Sequence, residues 1–203
     1  IDPATGRYTH SNAQMAAAAV RSLARKSGFD LNRLECLCAG TSSPDLVQPS
    51  HGLMVHGELA TPPCEVHTAA AVCTSAMSAL RYAMLNVQTG GVRHAISTGS
   101  EFSSRYMRGR NFEPEMESLV AEMERRPEIA FEKDFLRWML SDGAGAALVQ
   151  SQPNPDRLSL RIDWMEMVSL AGDMPVCMYS GGNKRPDGSM QYAYETEDPL
   201  DIV

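Results

Sequence analysis

The sequence predicts an α/β fold: a layered domain with a mixed, mostly parallel sheet and helices on its faces. Two observations predict it. Helical and strand-like stretches alternate from residue 12 to residue 98 with short connections, the order expected of parallel strands joined by right-handed helical crossovers. The composition, 203 residues with 43% hydrophobic and 21% charged, is that of a chain able to bury a core without metal or disulfide staples.

Residues 12–27 form the clearest helix. Asn12 is a candidate cap, alanine dominates, Met15, Ala19 and Leu23 share one face, and Gly28 ends it. Residues 34–39 (LECLCA) read as a short apolar strand, and residues 40–49 as a loop rich in turn formers. Pro49 opens a second helix, 50–59, which Thr61, Pro62 and Pro63 stop. Residues 65–72 (EVHTAAAV) read as a strand that becomes nearly all small. Residues 74–88 read as a helix with Met77, Leu80, Met84 and Val87 at spacings of three and four, closed by Gly90 and Gly91. Residues 94–98 are the next strand. Residues 111–140 interrupt the rhythm with many Glu and predict one or two exposed helices. Residues 144–150 are again a strand, and 158–170 one long or two short strands.

The formal charge of −7 gives no general attraction for phosphate backbones, which argues against nucleic acid. No apolar run approaches the roughly 18 residues of a spanning helix, which argues against a membrane protein. Five cysteines, an odd number without zinc spacing, predict neither a disulfide framework nor a metal site. Cys36 and Cys38 read as small core residues. A cytoplasmic protein, represented by part of its length, is the expectation.

The segment Ala69-Ala-Ala-Val-Cys73-Thr-Ser-Ala-Met77 carries the chemistry. A small-residue strand runs into a cysteine and a helix begins at once. The thiol there faces unpaired amides and the positive end of the helix dipole, which favours thiolate over thiol. The sharp turn lifts the sulfur from the sheet, as a nucleophile requires. Backbone amides at the turn, with Thr74, can support an oxyanion. The alternative is an inert, buried structural cysteine.

Further on, Ser141-Asp142-Gly143-Ala144-Gly145-Ala146 leads into a strand, a run of tiny residues without dinucleotide spacing. Taken with the Cys73 turn, it resembles the first half of a β-ketoacyl-[acyl carrier protein] synthase III of the thiolase superfamily. The family's nucleophilic cysteine matches Cys73, and its Gly-Asp-Gly-Ala-Gly-Ala signature matches residues 141–146, with Ser141 for the leading Gly. The loop Thr41-Ser-Ser-Pro with Pro49-Ser50, and Gly99-Ser-Glu101 after the strand at 94–98, fall where the family has theirs. The resemblance covers residues 12–150.

What it implies is decarboxylative Claisen condensation of an acyl thioester with a malonyl-carrier protein through an acyl-cysteine, in fatty acid or polyketide biosynthesis. Cys73 is then the acyl acceptor, with Thr74, Gly143 and Gly145 supporting the oxyanion and tight turns. No cofactor and no metal are implied. The substrates are acyl-CoA or an acyl carrier protein. Phe135 and Trp138 are candidates for the border of the substrate channel. Residues 1–152 correspond to the N-terminal thiolase-like half and 153–203 to strand and linker leading toward a C-terminal half. The family's catalytic His and Asn lie in that second half, and its opening strand would precede Ile1. None of the five histidines is an obvious substitute: six extended residues separate His67 from Cys73, roughly 20 Å. Family members are homodimers joined strand to strand, and the matching edge is 65–72.

Three rivals stand beside this assignment. A thiolase-type acyltransferase would use Cys73 without decarboxylation. A non-catalytic thiolase-fold partner subunit would tend to have lost the cysteine. A plain structural α/β domain would keep it as core. The glutamates of 111–134 are best explained as a solvated face, and Arg105, Arg108 and Arg110 as ordinary surface residues rather than a carrier-docking patch.

Overall fold

The computed structural model describes residues 1–2, 4–107, 123–127, 138–173, 182–184, 187 and 190–192. The chain divides into two units, one of Ile1–Phe102 with Asp142–Met165, the other of Ser103–Ser141 with Glu166–Val203. The first unit runs α1 (Asn12–Ser27), β1 (Cys36–Gly40), α2 (His51–Leu59), β2 (Glu65–Ala69), α3 (Ser75–Gln88), β3 (His94–Glu101) and β4 (Gly143–Gln150). The sheet order is β2-β1-β3-β4. β1 pairs in parallel with β2 and with β3, and β3 pairs antiparallel with β4. This is the mixed, mostly parallel sheet that the alternating sequence predicts.

Strand alternation sorts the core into two layers. Leu37, Ala39 and Ile96 meet Ala13, Ala16, Ala17 and Val20 of α1 and Val55 and Leu59 of α2. Cys36, Cys38 and Ala95 meet Ala79, Ala83 and Val87 of α3. β1, between two neighbours and covered on both sides, is buried at all five positions.

Each helix end has its chemistry. Ser11, not Asn12, caps α1: its side chain accepts from the Gln14 amide while Gln14 returns a bond to the Ser11 amide, a capping box. Asn12 is instead fully buried, donating to Thr41 Oγ1 and the Ser43 carbonyl. The Asp45 carboxylate accepts from the amides of Asn12 and Ala13, both at 2.8 Å, placing a negative charge at the positive end of the helix. Gly28 ends α1 at φ +74°, and Ala60 ends α2 at φ +54°.

The buried stripes differ from those expected. In α1 the inward row is Ala13, Ala16, Ala17, Val20 and Ala24, with Met15, Ala19 and Leu23 half-buried beside it. In α3 the inward row is Ser75, Ala79, Ala83 and Val87, whereas Met77 is 45% exposed. The reason is distance: α3 lies close on the sheet, so small residues face inward and larger ones flank the contact. The strand expected at 65–72 ends at Ala69. That at 34–39 begins at Cys36 and runs to Gly40. The strand at 94–98 continues to Glu101 because β4 pairs with it over eight residues. Residues 158–170 contain no strand: the alternating apolar pattern is there, but no neighbouring ladder receives it. Leu158 and Leu160 are 91% and 86% exposed.

In the second unit a short 3-10 turn spans Ser103–Arg105. β5 (Gly182–Lys184) and β6 (Met190–Tyr192) form an antiparallel pair. Most of the Glu-rich stretch 111–140 lies outside the described residues. Among the described residues, no helix is long and apolar enough to cross a membrane.

Candidate active site

Parallel strands bring the ends of β1, β2 and β3 to one edge, where the loop after Gly40, the turn after Ala69 and the end of β3 meet. α/β sheets place their ligand sites at such carboxyl edges. Cys73 lies there, in the turn between β2 and α3, and is exposed. The other described cysteines differ. Cys36 and Cys38 are fully buried with their sulfurs 3.5 Å apart, and Cys64 is half-buried. The bond to Cys36, helped by burial, holds the Cys38 proton on, and burial pushes the Cys64 thiol up. Cys177 lies outside the described residues.

The turn that carries Cys73 is tightly tied. Thr74 forms the N-cap position of α3, with φ −87° and no side-chain bond to the first helical turn. Its amide and its hydroxyl instead both donate to the Ala71 carbonyl, at 2.9 and 2.7 Å. Ser75, 2% exposed, donates from its amide (3.2 Å) and its hydroxyl (2.5 Å) to the Val72 carbonyl. The same hydroxyl accepts from the Ala71 amide at 3.1 Å. Val72 itself sits at φ +42°, a left-handed conformation that a β-branched residue adopts only under constraint. Two glycines form the floor. A Cβ on Gly40 would fall on the Ser75 carbonyl group, 2.5 Å from its carbon, and 2.7 Å from the Ala76 nitrogen; one on Gly99 would collide with the Ala76 side chain.

At the same edge the Glu101 carboxylate accepts from the Ser42 amide (2.7 Å), the Ser42 hydroxyl (2.9 Å) and the Ser43 hydroxyl (2.5 Å). The sequence shows the Thr41-Ser-Ser-Pro loop and Gly99-Ser-Glu101 as separate segments sixty residues apart. Only the parallel pairing of β1 with β3 joins them. Ser75 likewise carries no signal in sequence beyond its place in a small-residue run.

Two of the remaining candidates border the same edge. Gly143 and Gly145 stand on β4 opposite Glu101 and Gly99, and a Cβ at either would meet open space among the described atoms. Trp138 is 76% exposed and belongs to the second unit. Phe135, Arg108 and Arg110 lie outside the described residues. Each histidine has a partner other than the thiol. His10 bonds Thr9, His56 the Pro62 carbonyl, and His67 stacks on Tyr82 at 4.0 Å between ring centroids. His51 is buried, with Nε2 3.1 Å from Ser100 Oγ; burial lowers its pKa against the pull of Asp45 and Glu101. His94 Nε2 lies 2.9 Å from an Arg33 guanidinium nitrogen, and its Nδ1 lies 2.9 Å from the Gln150 amide nitrogen. Burial, then the Arg33 cation, lowers the His94 pKa.

A depression of about 730 Å³ opens at the opposite edge of the sheet, bordered by Arg33, Glu35, Cys64, Glu65, Arg93 and His94. These residues sit at the amino ends of the strands, so it is not the Cys73 site. There the Arg93 amide and guanidinium hold the Glu35 carboxyl down at about 2. Among the described residues no cluster of His, Cys, Asp and Glu is arranged to hold a metal ion.

No protein-family model matches the chain. It is 30% identical over 97 residues to the β-ketoacyl-[acyl-carrier-protein] synthase III of Sphingopyxis alaskensis, an alignment covering 48% of this chain and 30% of that protein. It is 22% identical over 187 residues to the corresponding protein of Koribacter versatilis, covering 89% of this chain and 49% of that one. The chain thus spans about half or less of the length of these curated relatives. Among solved structures it is similar to AbyA1, a tetronic acid condensing enzyme, with a TM-score of 0.65 at 20% identity over 92% of this chain and 52% of that chain. It is also similar to OleA of Xanthomonas campestris, with a TM-score of 0.52 at 20% identity over 69% of this chain and 40% of that one. At these identities the solved structures establish the fold, while the curated relatives repeat one name. By sequence this chain is thus similar to β-ketoacyl-[acyl-carrier-protein] synthase III proteins, and its α/β fold is similar to that of the condensing-enzyme structures it matches.

Proposed function

We propose that the chain is the acyl-accepting part of a ketosynthase III-type condensing acyltransferase, with Cys73 as the acyl acceptor. The observation that carries this is the contrast among thiols: Cys73 alone of the four described is exposed, and it stands at the carboxyl edge of the sheet against the start of α3. In the acylation step the sulfur of Cys73 attacks the carbonyl carbon of an acyl-CoA or acyl-carrier thioester. A new carbon–sulfur bond forms, and the carbonyl oxygen gains negative charge that the amide end of α3 can stabilise. Collapse breaks the substrate's carbon–sulfur bond, and the departing thiolate takes up the proton that Cys73 gave to solvent.

In the complete cycle the acyl-cysteine would meet a carbanion formed when a malonyl-carrier thioester loses carbon dioxide. The family uses a His and an Asn of its second half for that step, and this chain's histidines, engaged as described, are not assigned to it. Phe135 and Trp138 remain the proposed channel residues. The partner proposed is a second copy joined along β2, which forms one edge of the sheet; an unpaired edge of this kind invites strand addition.

The test is acylation itself. Incubation with acetyl-CoA and with octanoyl-CoA, followed by intact-mass and peptide mass spectrometry, should place one thioester on Cys73. Cys73→Ala should carry none. A wild-type chain, folded by circular dichroism, that takes no acyl group on Cys73 would defeat the proposal.

A further inference from the structure

We propose that Ser75 is a positioning residue for Cys73, its buried hydroxyl holding the turn that presents the thiol. This rests on the acyl-acceptor role of Cys73 and adds a residue that neither the sequence motif nor the comparisons single out. Three independent features meet at Ser75. Its hydroxyl reaches back across Cys73, donating to the Val72 carbonyl and accepting from the Ala71 amide. The residue it holds, Val72, is at φ +42°, where valine does not stay without a restraint. Its own backbone is pressed onto β1, since Gly40 leaves no room beneath the Ser75 carbonyl group.

Cys73 is therefore enclosed between a strained residue before it and a buried anchor two positions after it. Thr74 ties to Ala71 from the outer side, yet Thr74 is exposed, so its bonds compete with water. Ser75 is sealed, and its bonds persist. Attack on a thioester needs the sulfur held in register with the amides that receive the oxyanion, and a misplacement of about 1 Å can cost about a hundredfold in rate. Alkylation of an exposed thiol by a small reagent needs no such register. The Ser75 hydroxyl thus governs acylation and leaves the simple chemical reactivity of the sulfur nearly unchanged.

The experiment compares the wild-type chain with Ser75→Ala in two reactions: alkylation of Cys73 by iodoacetamide, and thioester formation from acetyl-CoA, both timed by mass spectrometry. In Ser75→Ala the acylation rate is expected to fall about tenfold or more while alkylation stays within about threefold. Equal acylation rates in the two chains, or a parallel fall in both reactions, would overturn the positioning role and leave the Cys73 role standing. A wild-type chain that alkylates but never acylates would overturn the Cys73 role, and this inference with it. Should Ser75→Ala fail to fold, the comparison is made in a Val72→Gly background, where glycine accepts φ +42° without side-chain strain. There Val72→Gly/Ser75→Ala should acylate at least about fivefold more slowly than Val72→Gly, and equal rates would overturn the inference.

Discussion

Replacing one hydrogen by a methyl group at two glycines should have opposite effects. At Gly40 a Cβ would stand 2.5 Å from the Ser75 carbonyl carbon and 2.7 Å from the Ala76 nitrogen, against 3.4–4 Å for ordinary contact. The atoms in the way are backbone at the start of α3, so no side chain can swing aside; the first turn must lift by something near an ångström. Overpacking of this kind costs about 1–3 kcal/mol. At Gly57, in the exposed interior of α2, a Cβ would meet nothing within 4 Å. There Gly57→Ala should stabilise the chain by about 0.5–1 kcal/mol, through helix propensity and a less flexible unfolded state. The two variants should therefore differ by about 1.5–4 kcal/mol, separating their urea midpoints by roughly 0.7–2 M for a slope of about 2 kcal/mol/M. Unfolding is followed by circular dichroism. Midpoints of Gly40→Ala and wild type that coincide would refute the close seating of α3 on β1. Acylation supplies a second readout: Gly40→Ala should slow it, because the displaced turn carries Cys73, and Gly57→Ala should not.

Other expectations follow from the same geometry. Asp45→Ala removes the carboxylate that accepts from two amides at the start of α1 and should cost about 1–2 kcal/mol in urea unfolding; an unchanged midpoint would show those bonds to be dispensable. Ala60→Gly, at φ +54°, should raise stability by about 0.5–1 kcal/mol, and a loss would contradict the left-handed end of α2. For pH, His51 and His94 have pKa values held below their ordinary 6.5, chiefly by burial, so a proton prefers the unfolded chain. Their contribution is full above pH 6.5 and is lost as the pH falls through their depressed folded values. Unfolding free energy should therefore decline from pH 7.5 to 5.5, and a flat or rising profile would contradict the neutral forms of both rings.

Much of the fold was legible in local chemistry. Alternating helix and strand patterns, Gly28, and the stop at Pro62 and Pro63 placed seven elements of the first unit near their observed bounds. Short-range physics decides these features: periodicity, capping and turn formation act within a few residues. Cys73 was legible for the same reason, as a thiol where a small-residue strand meets a helix. The inward face of α3 was not. Met77, Leu80 and Met84 have helical spacing, but which face turns inward depends on how closely the helix meets its floor, and Gly40 and Gly99 bring it close enough to favour Ser75, Ala79 and Ala83. Residues 158–170 erred in the opposite sense. Their apolar alternation is local, yet a strand exists only where another backbone offers its ladder.

The sequence by itself thus determined the elements, their order and the cysteine in the turn before α3, because those follow from neighbours along the chain. Only the tertiary structure decided which distant groups meet: Glu101 with Ser42 and Ser43, Asp45 with the start of α1, and Gly40 beneath Ser75. Such contacts are set by strand register and close packing, which join residues dozens of positions apart and leave no periodic mark in the chain.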